Sequence, residues 1–140
     1  MPSWILFALL AALFASLVSL FGKVGLQHID STLATTIRSV IMAGFLIITS
    51  FTFGKFETIK DIDRKTLFFI ALSGIAGATS WLFYFLSLKM GPAGAVAALD
   101  KLSIVFVVVL AGLFLGEGLT WKLVIGSLLV AGGAVLIAFK

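Results

Sequence analysis

Five apolar runs of about twenty residues each fill most of this chain, at Trp4–Phe21, Leu33–Phe53, Leu67–Leu88, Ala93–Leu115 and Trp121–Phe139. A helix needs roughly 20 apolar residues to cross the ~30 Å hydrocarbon core of a bilayer, and each run meets that length. The polar stretches between the runs are too short to hold a soluble module, the longest being Gly54 to Thr66. The sequence therefore predicts an all-α integral membrane protein with five transmembrane helices, organised as a single domain over residues 1–140.

Composition agrees with that class and narrows the chemistry. Of the 140 residues 61% are hydrophobic and 11% charged, where a soluble domain carries about 25% charged residues. There is no cysteine, so disulfides, thiol nucleophiles and cysteine metal sites are out. The single histidine, His28, reads as a loop residue, and neither a metal nor a cofactor is expected. The net charge of +4 would point to nucleic acid in a soluble protein. Here the basic residues stand mostly at helix ends, where they anchor to headgroups, so the expected partner is the lipid bilayer and not nucleic acid. The first run lacks a basic n-region and is longer than the 7–15 residues of a signal-peptide core, so it reads as a retained helix. No GxSxG, HExxH, phosphate loop or intrahelical His/Asp pair is present, and an enzyme is not expected.

Small residues and breakers mark how the helices begin, end and meet. In the first helix, Ser3 to Gly22, Ala8, Ala12 and Ser16 form one small-residue series and Ala11, Ala15 and Ser19 another; this spacing lets helix backbones approach closely in lipid. Gly22-Lys23-Val24-Gly25 is expected to end it, and Asp30 or Ser31 to cap the second helix. Gly54 is placed to close the second helix in the left-handed conformation. Phe56, Ile59 and Ile62, set among charges, suit either a short interfacial helix or a solvated turn. Pro92 falls in the first turn of the fourth helix, which closes at Gly116-Glu117-Gly118, and Thr120 caps the fifth. Gly74, Gly112, Gly116, Gly126 and Gly133 join Ala8, Ala12 and Ser16 as the expected helix-packing positions.

The costly residues are the charges inside the runs. Arg38 lies roughly 7 Å past the start of the second helix, and Asp100 and Lys101 about 10–12 Å into the fourth. Neighbours on a helix point about 100° apart, so Asp100 is expected to pair with Arg38 or Lys23 and not with Lys101. These groups read either as a lock between helices, with Lys23 and Lys101 snorkelling, or as a polar cavity that binds substrate or relays protons. Asp100 is the carboxylate available for proton coupling. Trp81 and Tyr84 share one face of the third helix, where they either fill the core or receive a cationic or aromatic ligand. The candidate cavity residues are Lys23, Arg38, Trp81, Tyr84, Asp100 and Lys101.

Orientation is weakly specified. One side of the membrane receives Lys55, Lys60, Arg64, Lys65 and Lys122; the other receives Lys23, Lys89 and Lys140, with Arg38 and Lys101 deeper at the same end. Only a clear Lys/Arg bias fixes topology, so insertion in both orientations is expected. A Lys-x-Gly echo, Lys23/Gly25 and Lys89/Gly91, carries no inference by itself.

Several stretches occur in a recognisable order: Phe21-Gly22-Lys23-Val24-Gly25-Leu26, Arg38, Trp81-Leu82-Phe83-Tyr84-Phe85, Lys89-Met90-Gly91-Pro92-Ala93, Leu113-Phe114-Leu115-Gly116-Glu117 and Gly126 opening a Gly-rich last helix. The chain thus resembles an EamA domain of the drug/metabolite transporter superfamily over essentially its whole length. Most members carry two such five-helix units, the second inverted; this chain resembles the short bacterial and archaeal members, which implies the inner or plasma membrane of a prokaryote. Longer relatives often have proline where this chain has Leu102-Ser103. The resemblance implies one inverted-repeat unit that pairs with an inverted copy of itself, with the substrate site near the midplane. It implies a secondary transporter that exports a small metabolite or drug by alternating access, as a dual-topology antiparallel homodimer. Helices 1, 3 and 4 of each copy would face the cavity, with a proton gradient or substrate exchange as driving force. The alternatives are a non-transporting membrane partner subunit, or a flippase for a lipid or lipid-linked sugar drawn by the basic residues Lys23, Arg38, Lys89 and Lys101.

Overall fold

The computed structural model describes residues 2–139; Lys140, counted in the charge balance above, lies outside them. Among the described residues, five helical stretches are long and apolar enough to cross a membrane, as the runs predicted. The chain divides into two compact units: Gly25–Lys89, and the chain up to Val24 together with the chain from Met90 onward.

The Gly25–Lys89 unit holds α2 (Ser31–Thr52), a 3-10 helix (Lys55–Asp61) and α3 (Arg64–Met90). Asp30 caps α2: its Oδ1 accepts from the Thr32 N–H at 2.8 Å and the Leu33 N–H at 3.2 Å. These two bonds, the Leu33 one foremost, hold its carboxyl below the ordinary aspartate range. Gly54 turns the chain out of α2 at φ 63°, as its position predicted. The amphipathic stretch after it folds as a short helix and not a bare turn, leaving Phe56, Ile59 and Ile62 exposed. Asp63, unremarked in the sequence, performs the same service for α3: its Oδ2 accepts from the Lys65 and Thr66 N–H groups, and hydrogen bonds from Thr66 draw its carboxyl down.

The other unit holds α1 (Ser3–Gly25), α4 (Ala93–Asp100), α5 (Ser103–Leu110), a π turn (Ala111–Leu115) and α6 (Trp121–Ala138). Two boundaries differ from expectation. α1 runs on to Gly25, because neither Gly22 nor Gly25 takes the left-handed conformation that would stop it; among the described residues only Gly54 and Gly116 do. The fourth span, expected to be continuous, is two helices. At the joint the Lys101 N–H bonds Ala98 O, Leu102 N–H bonds Leu99 O, and Ile104 and Val105 bond Lys101 O and Leu102 O. Those are i→i−3 bonds, the tighter pattern of a 3-10 turn. No proline is needed for the break.

The span closes at Gly116 (φ 65°), with the Gly116 and Glu117 N–H groups converging on Ala111 O. Thr120 Oγ1 accepts from the Leu123 N–H and starts α6, as predicted. α6 packs along α4 and α5. Its inward seam is Ser127, Ala131, Ala134 and Ala138, with Ser127 and Ala134 buried; small side chains at this spacing allow the close approach that substitutes for a hydrophobic drive in lipid.

Several hydroxyls inside the spans are satisfied within their own turn: Ser16 on Leu13 O, Thr35 on Ser31 O, Ser39 on Thr35 O, Thr49 on Phe45 O, Thr79 on Ile75 O and Ser127 on Val124 O. This removes the cost of a bare donor in hydrocarbon without committing the hydroxyl to a neighbouring helix. Large apolar side chains such as Phe7, Phe14, Phe45, Phe69 and Phe106 stand well exposed, a surface that suits lipid.

Candidate functional site: a stacked arginine and a broken span

Arg38 stands seven residues into α2, about 10 Å along its axis. Its guanidinium carbon lies 3.8 Å from the Trp81 ring centroid and 5.5 Å from that of Phe85. Trp81 and Phe85 are one helical turn apart on α3, so both rings face the same side. Tyr84 meets Trp81 edge-on, with centroids 5.4 Å apart at 74°, and Phe85 completes the cluster 5.9 Å from Trp81. Phe85 is buried, while Arg38, Trp81 and Tyr84 are half-buried. A cation over an indole face gains from the ring quadrupole, most of all where water is scarce.

In the other unit the break in the fourth span carries Asp100 and Lys101. Lys101 Nζ lies 3.2 Å from Asp100 Oδ2 in an ion pair, with the two side chains 60% and 39% exposed. Asp100 thus pairs with Lys101 and not, as the diverging directions of helix neighbours predict, with Arg38 or Lys23. That geometry belongs to an unbroken α-helix; the chain tightens at Lys101, and the long lysine stem turns back to its neighbour. Lys23 instead donates to Gly91 O at 2.8 Å, tying the end of α1 to the start of α4. In the first unit Lys89 donates to Ile29 O at 2.7 Å.

The predicted cavity residues thus gather in two places. Arg38, Trp81 and Tyr84 form one cluster; Asp100 and Lys101 form one pair, and Lys23 ties the end of α1 to the start of α4. Phe85, which completes the aromatic cluster, is a residue that the sequence does not single out. Its signal is depth: Arg38 near the start of one span and Trp81–Phe85 near the end of the next stand at similar levels. His28 and Glu117 are exposed. Gly112 sits beneath Leu119, and a Cβ added there would come within 3.0–3.2 Å of that side chain. A Cβ at Gly74, Gly126 or Gly133 would meet open space within its own unit, and Ala8, Ala12 and Ser16 are exposed.

Apolar spans, charges at membrane depth and a span broken around an ion pair define a multi-pass helical membrane protein with polar positions inside its spans. The chain belongs to the EamA-like transporter family, whose pattern matches residues 2–139. A Sinorhizobium sp. protein named "Uncharacterized transporter in cobO 3' region" is 44% identical over 136 residues, covering 97% of this chain and 96% of that one. A "Probable terminal-alkyne amino-acid exporter" of Streptantibioticus cattleyicolor is 37% identical over 73 residues, which is 49% of this chain and 25% of that protein. No solved structure matches.

Proposed function

We propose that this chain is a secondary transporter of a prokaryotic inner or plasma membrane. In this reading it exports a small metabolite or drug by alternating access, and two copies of one five-helix domain pair in opposite orientations. The observation that carries the reading is the break at Lys101-Leu102. Irregular backbone at membrane depth is tolerated where it lies in protein or lines a water-filled cavity, and an exposed ion pair there needs the same. Discontinuous helices at the midplane of paired inverted units are the arrangement that builds transporter sites.

A cavity completed by a second copy meets both demands. The two halves rock against each other and open it to each side in turn. The open faces of Ala8, Ala12 and Ser16 on α1 and of Gly126 and Gly133 on α6 are the surfaces we assign to pairing. Export is the direction we adopt, the one that the name of the Streptantibioticus protein states for that relative.

The test is efflux from cells overproducing the protein, screened over a panel of amino acids and organic amines. At least one solute should leave faster with the native chain, and Asp100→Asn or Lys101→Gln should cut that gain about tenfold or more with the protein still in the membrane. A non-transporting partner subunit would give no gain for any solute and would be indifferent to both substitutions.

A further inference from the structure

Arg38 Cζ lies 3.8 Å over the Trp81 ring centroid, a separation that suits flat stacking of a guanidinium on an aromatic face, the arrangement that leaves its five in-plane N–H donors directed away from the ring. Among the described residues those donors make no hydrogen bond and no ion pair. The acids of the same unit, Asp30, Glu57, Asp61 and Asp63, all lie outside its spans. Nor are the donors sealed in: Arg38 is half-buried, and no fully enclosed side-chain nitrogen or oxygen lacks a partner among the described residues. A guanidinium about 10 Å into a span is costly unless something answers its charge.

The same stacking decides the sign of what can bind. The Trp81 face, the best aromatic seat for an organic cation, is already taken by Arg38, and a second positive charge beside it would be repelled. A planar oxyanion faces the opposite situation. Its two oxygens match the paired N–H groups of a guanidinium edge, and binding edge-on leaves the stack on Trp81 in place. Trp81 fixes the plane of the fork in advance, and this lowers the ordering cost of capture.

The geometry points to Arg38, oriented by Trp81 and Phe85, as the receptor for the carboxylate of a small-molecule solute. This rests on the transport reading above and deepens it by naming the charge and shape of the group recognised. The same two-oxygen chemistry is offered by a phospholipid phosphate, and the experiment separates the two sources.

The test uses the full chain carrying Trp4→Phe and Trp121→Phe, which leaves Trp81 alone of the 3 tryptophans, in nanodiscs of neutral phosphatidylcholine. N-acetylglycine should change the Trp81 emission saturably, and tetramethylammonium should not. Arg38→Lys keeps the charge but loses the fork, and should weaken the response about tenfold or more; Arg38→Gln should abolish it. Because Arg38→Gln risks misfolding, Arg38→Lys with an unchanged circular dichroism spectrum carries the comparison if the glutamine variant fails. The inference is overturned by no saturable response to the carboxylate, by a saturable response to tetramethylammonium, or by unchanged carboxylate binding in folded Arg38→Lys. A response that needs phosphatidylglycerol in the nanodisc and no added carboxylate assigns the site to a headgroup and overturns the solute. Carboxylate binding without any efflux would sink the transport reading and leave the receptor; efflux that survives Arg38→Gln would do the reverse.

Discussion

Charged side chains here serve backbone more often than they serve each other. Lys23 and Lys89 both stand in the last turn of a helix, two residues before a glycine, and each donates its ammonium to a carbonyl, Gly91 O and Ile29 O. A charge-assisted bond of this kind is worth about 1.5–3 kcal/mol when removal leaves its partner dry, and less where water can replace it. Lys23→Met should therefore lower stability by about 1–2 kcal/mol in equilibrium unfolding from mixed micelles. The Asp100–Lys101 pair is different, being exposed on both sides. Such pairs contribute about 0–1 kcal/mol, so Asp100→Asn should leave the unfolding midpoint nearly unmoved while it cuts transport. Asp30 and Asp63 bear on pH. The Leu33 N–H foremost at Asp30, and the Thr66 side chain and then its N–H at Asp63, hold both carboxyls below their ordinary value by hydrogen bonding. A depressed folded pKa contributes stability that is present above the unfolded value, about 3.9, and is lost as pH falls through the folded one. Thermal stability should thus be flat from neutrality down to about pH 4 and fall below it; Asp30→Asn should flatten part of that fall.

At the scale of elements, the fourth span is where the protein departs from a simple bundle. The i→i−3 bonds at 101, 102, 104 and 105 have poorer geometry than α-helical ones. Amide exchange there should be faster than in the middle of α6, a contrast hydrogen–deuterium exchange reads directly. The far end of the span offers a second check. Gly112→Leu would drive a side chain into Leu119 and should destabilise the closing turn by about 1–3 kcal/mol, with Leu119→Ala restoring part of the loss.

Much of this organisation was legible in the sequence because it rests on local rules. Run length gave the spans; Asp30 or Ser31 and Thr120 were readable as caps, Gly54 as a left-handed stop, and Gly116-Glu117-Gly118 as the close of the fourth span. What stayed hidden depends on partners distant in sequence or on subtle backbone choice. Nothing local says that Arg38 would lie on Trp81 in preference to an acid, since a cation–π contact has no fixed sequence spacing. The break at Lys101 was invisible because Leu102-Ser103 carries neither proline nor glycine. The α6 seam fell on Ser127, Ala131 and Ala134, one position along from Gly126 and Gly133, because small residues surround the helix and leave its inward side undetermined by composition.

For the whole molecule, we propose that two copies of one five-helix domain pair in opposite orientations to close a cavity. The ten basic residues carry no strong bias toward one set of alternating loops, the condition under which a chain need not choose one topology. Faces of α1 and α6 left open by their own unit give the pair somewhere to meet. Ala12→Leu and Gly133→Leu should accordingly reduce crosslinked dimer severalfold without blocking membrane insertion.

The most direct measurement is side-specific labelling of single cysteines placed at Ser3 and at Lys140 in the cysteine-free chain, in native membranes. Each site should label from both sides of the membrane in comparable amounts, and Ser3→Cys with Lys140→Cys copies should crosslink as an antiparallel pair. Labelling of each site from one side only would contradict the inverted homodimer.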